Sequence, residues 1–383
     1  MQFVSLEWAM WMVATFSLYW LAPPNWRQAT LIALTMAFLA YRSPGSLAIL
    51  IAFAFLTWTV VRLPRPSSLV VVAVTLAFVA ILASFKLQAR GQAIESIISE
   101  GLIPLGISYY TFRCLHLIFE RYRGRFAGAM PREIAGYLFF LPTIVVGPIH
   151  RFGDYQRDVH RVRFEPALIA EGLERILYGY VKIGFLANYL VNGQLDALRT
   201  QFPPTSGLAN YLYIVEGGLN LYFQFSGYAD IAIGFARLLG FRVIENFNWP
   251  YLQKNLSDYW RNWHISLTSW CRDYVYTTMV SFVRSPAIGA LTTLIVIGLW
   301  HEISFRFIVW GLYHGFGLIV WQRFQALKPH LSPVTSKPAR AILTAISTVF
   351  TVHYVWFGFV IVRKPDLAQV WDVWTAATVG FFR

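Results

Sequence analysis

Residues 67–85 read SSLVVVAVTLAFVAILASF, a stretch without a single charged side chain. A helix needs about 20 such residues to cross the hydrocarbon of a bilayer. With apolar groups on every side, it has no face to turn toward water. The stretch therefore reads as a membrane span. Working outward from it, similar apolar runs occupy 3–22, 29–41, 46–62, 101–120, 134–149, 167–190, 208–224, 286–300, 303–322 and 340–362. This pattern predicts an all-α, polytopic membrane protein of roughly eleven spanning or half-spanning helices, with interfacial amphipathic helices between them. The runs 29–41 and 134–149 are short, so they must tilt, re-enter or be shielded by protein.

The composition agrees. The 383 residues are 57% hydrophobic and only 13% charged, with a mean hydropathy of +0.50. A soluble domain carries about 25% charged residues. The charge is asymmetric, with 32 Lys and Arg against 19 Asp and Glu. The arginines sit in short clusters between apolar runs, such as Arg121 to Arg125 and Arg151 to Arg163. They read as loops facing membrane lipid headgroups and not as a nucleic-acid surface. Because such clusters follow nearly every apolar run, they do not assign an orientation. Polar hairpins are expected near 86–100, 121–133, 151–166, 240–262 and 323–339. The run from Phe3 to Leu21 contains Glu7 and lacks a preceding basic segment, so it reads as a retained helix. No internal repeat and no long polar linker divide the chain. One membrane domain over 1–383 is expected, with N-terminal helices at 1–100, a core at 101–322 and a C-terminal helix region at 323–383. Cys114 and Cys271 have neither metal-ligand nor disulfide-framework spacing and read as packing residues.

The segment 255–275 has a different pattern. Trp260, Trp263, His264, Leu267 and Trp270 recur at helical spacing, with Asp258, Arg261, Asn262 and Asp273 largely elsewhere. It predicts an amphipathic helix, capped by Asn255 or Ser257, at the interface or lining a polar cavity. Two histidines stand out: His264 on this stripe, and His301 at the end of the apolar run closing in Gly298-Leu299-Trp300-His301. An ionisable residue at membrane depth is costly and marks function by default. Desolvation favours the neutral imidazole, the form a general base must take. Each is equally readable as a histidine bonded to a backbone carbonyl, holding two helices together. His301-Glu302-Ile303-Ser304-Phe305 is half of a zinc-protease signature. Its second histidine is replaced by Phe305, so no metal is expected. Gly311 and Gly315 bracket His314 at a spacing suited to close helix packing. Neither a nucleophile elbow nor a phosphate-binding glycine loop is present, which favours direct transfer from an activated donor. Arg151, after the helix-breaking Gly147-Pro148, suits an anionic donor or a lipid headgroup. Asp230 needs a cationic partner, with Arg237 or Arg261 as candidates.

Several ordered stretches resemble the membrane-bound O-acyltransferase family. They are Phe225 to Phe241, Glu245 to Tyr251, Tyr259 to Leu267, Trp270 to Tyr274, Gly298 to His301, Trp310 to Gly315, Gly106 to Phe112 and Leu141 to Ile149. The likeness runs from about 101 to 362, whereas the first hundred residues agree in hydropathy alone. Two branches are similar: alginate-type polysaccharide O-acetylation proteins, and the D-alanyl-transfer membrane protein of teichoic acid modification. The resemblance implies helices around a transmembrane tunnel, with His301 as base and His264 as its helper. In the reaction so expected, His264, Asn262 or the indole N–H groups of Trp263 and Trp300 would support the developing oxyanion. It further implies a thioester donor on coenzyme A or an acyl carrier protein and no permanently bound cofactor. The acceptor would be a hydroxyl of a cell-envelope glycopolymer, the location a bacterial cytoplasmic membrane, and a periplasmic transferase a possible partner. The family commonly has glycine after the catalytic histidine. Glu302 stands there in this chain, where it would shift the base or orient a substrate amine, or turn away into a loop. A transporter or flippase subunit, or a non-catalytic scaffold, is the competing expectation.

Overall fold

The computed structural model describes residues 5–88, 105–330 and 336–380. Among them the secondary structure is helical, with one isolated antiparallel bridge between Phe247 and Trp263. Three helices are both long and apolar enough to cross a membrane: Pro44–Arg62, Ser68–Gln88 and Lys337–Arg363. Pro286–His301 is a shorter apolar helix. Length and hydropathy thus mark three candidate spans among the described residues, and the expected set of roughly eleven spanning or half-spanning helices is not established by them. Most of the other apolar runs do form helices, but shorter or more polar ones, such as Leu6–Leu21 and Ile107–Tyr122.

The run 134–149 does not form a spanning helix. Pro131–Leu138 stops after eight residues, Leu141–Thr143 makes a single 3-10 turn, and the chain continues irregularly through Gly147 and Pro148. Pro142 and Pro148 each lack the N–H a helix would use. The run 208–224 extends into a longer helix, Gly207–Leu238. A helix at Leu367–Val379 was not anticipated; the Asp366 carboxylate caps it by accepting from the Gln369 N–H at 2.8 Å. The hairpin expected at 86–100, the start of the 101–120 run and part of the 323–339 hairpin lie outside the described residues.

The chain groups into two compact units, Met1–Tyr180 with Tyr228–Ile244, and Val181–Gly227 with Glu245–Arg383. In the first, Gly172 and Gly234 let two helices meet backbone to backbone. A Cβ on Gly172 would sit 2.9 Å from the Gly234 carbonyl oxygen. That approach brings Arg175 Nε to 2.6 Å from Asp230 Oδ1. Asp230 thus gains Arg175 as a partner, an arginine that sequence proximity did not suggest. The helix Ile107–Tyr122 buries Arg113 completely, its guanidinium donating to the carbonyls of Tyr137, Leu138 and Thr143.

In the second unit, Pro286–His301 and Phe305–Leu327 form a tight helical hairpin. A Cβ on Gly298 would lie 2.3 Å from the Phe307 carbonyl oxygen, and one on Gly311 would lie 2.7 Å from that of Leu294. Only glycine permits this contact, as the Gly311/Gly315 spacing suggested. Lys337–Arg363 is joined to the hairpin by reciprocal bonds. Tyr313 Oη donates to the Tyr354 carbonyl at 2.9 Å, Tyr354 Oη donates to the Tyr313 carbonyl at 2.6 Å, and the rings stack at 4.3 Å. The first helix of this locked pair ends on His301.

Candidate active site

The segment 255–275 is not one continuous amphipathic helix. Leu256–Asn262 is helical, with Asn255 as its cap accepting from the Asp258 N–H at 2.8 Å. Trp263 is then extended, and His264 takes a left-handed backbone conformation with φ +45° before Ile265–Cys271 resumes. The break is stitched to residues 246–248. The Asn248 N–H donates to the Asn262 carbonyl at 3.0 Å, and the Ile265 N–H donates to the Asn246 carbonyl at 2.9 Å. A left-handed conformation costs an L-residue roughly 1–2 kcal/mol, so it persists only where neighbours impose it.

The kink delivers the His264 ring into the protein interior, where the residue is 2% exposed. Its Nδ1 lies 3.0 Å from Asn246 Oδ1. The same oxygen accepts from the Ser266 N–H at 3.3 Å and the Ser266 hydroxyl at 2.9 Å. A backbone N–H can only donate, so it sets which end of the Asn246 amide faces it. The amide oxygen then requires Nδ1 of His264 to carry the proton. In the neutral ring, Nε2 therefore holds the lone pair. Burial, with a smaller contribution from nearby His301, holds this imidazole well below its ordinary range. Phe225 lies edge-on to the ring at 4.7 Å and Trp300 at 6.1 Å.

His301 is placed differently. Expected to be sheltered, it is exposed on the last residue of its helix, beside Trp300 with ring centroids 4.5 Å apart. The reason is the connection that follows. Glu302 caps the helix in an extended conformation, its N–H donating to the Gly298 carbonyl, and the chain turns at once into Phe305–Leu327. Phe307 and Trp310 flank the His301 ring at 6.0 and 6.1 Å. The Glu302 carboxylate accepts from Arg306 at 3.1 Å. Arg306 also donates to the Lys364 carbonyl, tying the hairpin turn to the end of Lys337–Arg363.

The second unit therefore gathers His264, His301, Trp300, Asn262, Trp263 and Glu302, but with unequal freedom. The Asn262 amide donates to the Asp258 carbonyl at 2.8 Å. Trp263 is buried, stacked on Tyr251 and Tyr259 at 5.9 and 5.6 Å. Both shape the kink. Arg151 belongs to the first unit, at the start of Phe152–Val159. The residues that sequence reasoning overlooked are Asn246 and Ser266. Asn246 lies 18 positions before His264, and no helical or strand period connects them.

Comparison with known proteins places the chain. Residues 129–362 match the model of MBOAT, the membrane-bound O-acyltransferase family, and the chain belongs to that family. A "probable alginate O-acetylase" of Pseudomonas aeruginosa is 33% identical over 284 residues, 73% of this chain and 52% of that protein. The corresponding protein of Azotobacter vinelandii is likewise 33% identical, over 73% of this chain and 54% of its own length. A teichoic acid D-alanyltransferase of Bacillus subtilis is 30% identical over 271 residues, 67% of this chain and 68% of that protein. The chain thus spans about half the length of the alginate-type relatives it matches.

Proposed function

We propose that this protein is a membrane O-acyltransferase of the bacterial cytoplasmic membrane. It moves an acetyl or D-alanyl group from a thioester donor, on coenzyme A or an acyl carrier protein, to a hydroxyl of a cell-envelope polysaccharide or teichoic-acid-like polymer. Family membership and the names of its relatives support the reaction class and a glycopolymer acceptor. One observation in the site carries the reading: an accessible imidazole at a rigid helix end, in the same unit as a buried neutral imidazole of determined tautomer.

In this reading His301 is the general base. The acceptor hydroxyl oxygen attacks the thioester carbonyl carbon while His301 takes its proton. The C–S bond then breaks as the ester forms, and the thiolate leaves with the proton returned by the imidazolium. Placed acid–base catalysis of this kind contributes about 10² to 10⁴ in rate. His301 must be reachable by two substrates, and its exposure meets that need. His264, aimed by Asn246, acts as a neutral helper and offers Nε2 as an acceptor. The backbone lock around Gly298 keeps the base from moving, which matters because small misplacements are costly.

The test is His301→Ala in a chain that still inserts and folds. Mass spectrometry of the envelope polymers is expected to show the ester gone and the polymer still exported. Lost export would indicate a transporter, and an unchanged ester content would indicate a scaffold. Either result defeats the proposal. The ester's mass separates acetyl from D-alanyl.

A further inference from the structure

We propose that the first unit carries a binding site for a phosphate group, in a basic cavity formed where the Phe152–Val159 helix ends and the Gly207–Leu238 helix gives out. The cavity measures about 650 Å³ and is lined by Arg157, Asp158, Arg161, Arg163, Glu165 and Arg242. Local backbone geometry builds it. Gly240, at φ +85°, ends the long helix, and the next turn carries Arg242 to the rim. The Asp158 carboxylate accepts from the Arg242 backbone N–H at 2.9 Å, pinning that turn while leaving the guanidinium out of the bond.

Four arginines face two carboxylates here, and the pairing is uneven. Arg163 is tied to Glu165 at 2.7 Å, and Arg157 to Asp154 at 2.6 Å. Neither Arg161 nor Arg242 has a side-chain ion pair among the described residues. Four guanidiniums against two carboxylates leave the recess net positive, which matches a phosphate or pyrophosphate better than a single carboxylate, because the planar forks engage several oxygens of one group. No aromatic side chain lines the cavity, so nothing there would stack a base. The ligand's phosphate could come from an anionic lipid headgroup or from a soluble phosphate compound; the chemistry of recognition is the same.

The test uses the full chain in neutral detergent at low salt. Inorganic pyrophosphate binding is measured by calorimetry, and retention of phosphatidylglycerol against phosphatidylcholine by native mass spectrometry. The double variant R161Q/R242Q is compared with R284Q, which removes an exposed charge in the other unit. Each lost arginine is expected to weaken phosphate binding about fivefold, and the pair about 25-fold. Selective loss of pyrophosphate binding supports a soluble ligand, and selective loss of phosphatidylglycerol supports a lipid. If the parent protein binds neither, if the double variant binds as the parent does, or if R284Q loses as much, the site is refuted. Failure here leaves the acyl-transfer proposal untouched, since no reacting group is involved.

Discussion

Replacing Asn246 by alanine removes one oxygen that holds three donors. The His264 Nδ1–H, the Ser266 N–H and the Ser266 hydroxyl all point at Asn246 Oδ1, between 2.9 and 3.3 Å. The hydroxyl can rotate away, but the other two donors are fixed. Asn246 is itself fully buried, so little water replaces it. A stranded buried donor costs about 1–3 kcal/mol, which puts N246A at about 2–6 kcal/mol. The backbone bonds that hold the His264 kink survive, because alanine keeps the residue 246 carbonyl, so the loss falls on the side-chain donors. If only about 2 kcal/mol of this falls on the competent orientation of His264, activity drops about 30-fold. S266A serves as the graded comparison. It removes the hydroxyl donor alone, worth about 0.5–1.5 kcal/mol, and keeps the amide orientation set by the backbone N–H. The assays are thermal unfolding of detergent-purified protein and ester content of the envelope polymer. N246A should lose both stability and activity, and S266A little of either. If N246A matched the parent in both, the tautomer argument would be wrong, because the amide would not be determining the ring.

Two further substitutions test the frame. G298A places a Cβ 2.3 Å from the Phe307 carbonyl oxygen, so the hairpin must shift, whereas G45A meets nothing within 4 Å. Thermal unfolding should show G298A strongly destabilised and G45A neutral or slightly stabilised; equal effects would contradict the backbone contact. R175L removes the Arg175 partner of the buried Asp230 carboxylate, and breaking a buried pair this way costs about 3–5 kcal/mol. D230N, which keeps an acceptor for Arg175, should cost clearly less in the same measurement.

Much of the fold was legible because its signal is local. The uncharged run at 67–85 needs no partner to be recognised, since hydrocarbon accepts it on every side. The Gly311/Gly315 spacing likewise pointed to close packing before the contact with Leu294 was seen. Boundaries were legible only where a cap or a breaker marked them. The run 134–149 is too short to span unaided, and its breakers, Pro142 and the Gly147-Pro148 pair, coincide with the end of the short helix, the 3-10 turn and the irregular chain that follows.

What the sequence by itself determined is the membrane character, the helical class, the family, and the two histidines worth watching. Tertiary structure alone decided how those histidines are held. Nothing between 255 and 275 breaks a helix: there is no proline and no glycine, and the apolar period runs straight through His264. The break comes from pairing with 246–248, an interaction between backbone groups that side-chain patterns do not encode. Likewise, Asp230 took Arg175, 55 residues away, because two glycines brought their helices together. Hydropathy reports how each residue feels about water; which donors meet which acceptors depends on chain crossings that only the folded molecule creates.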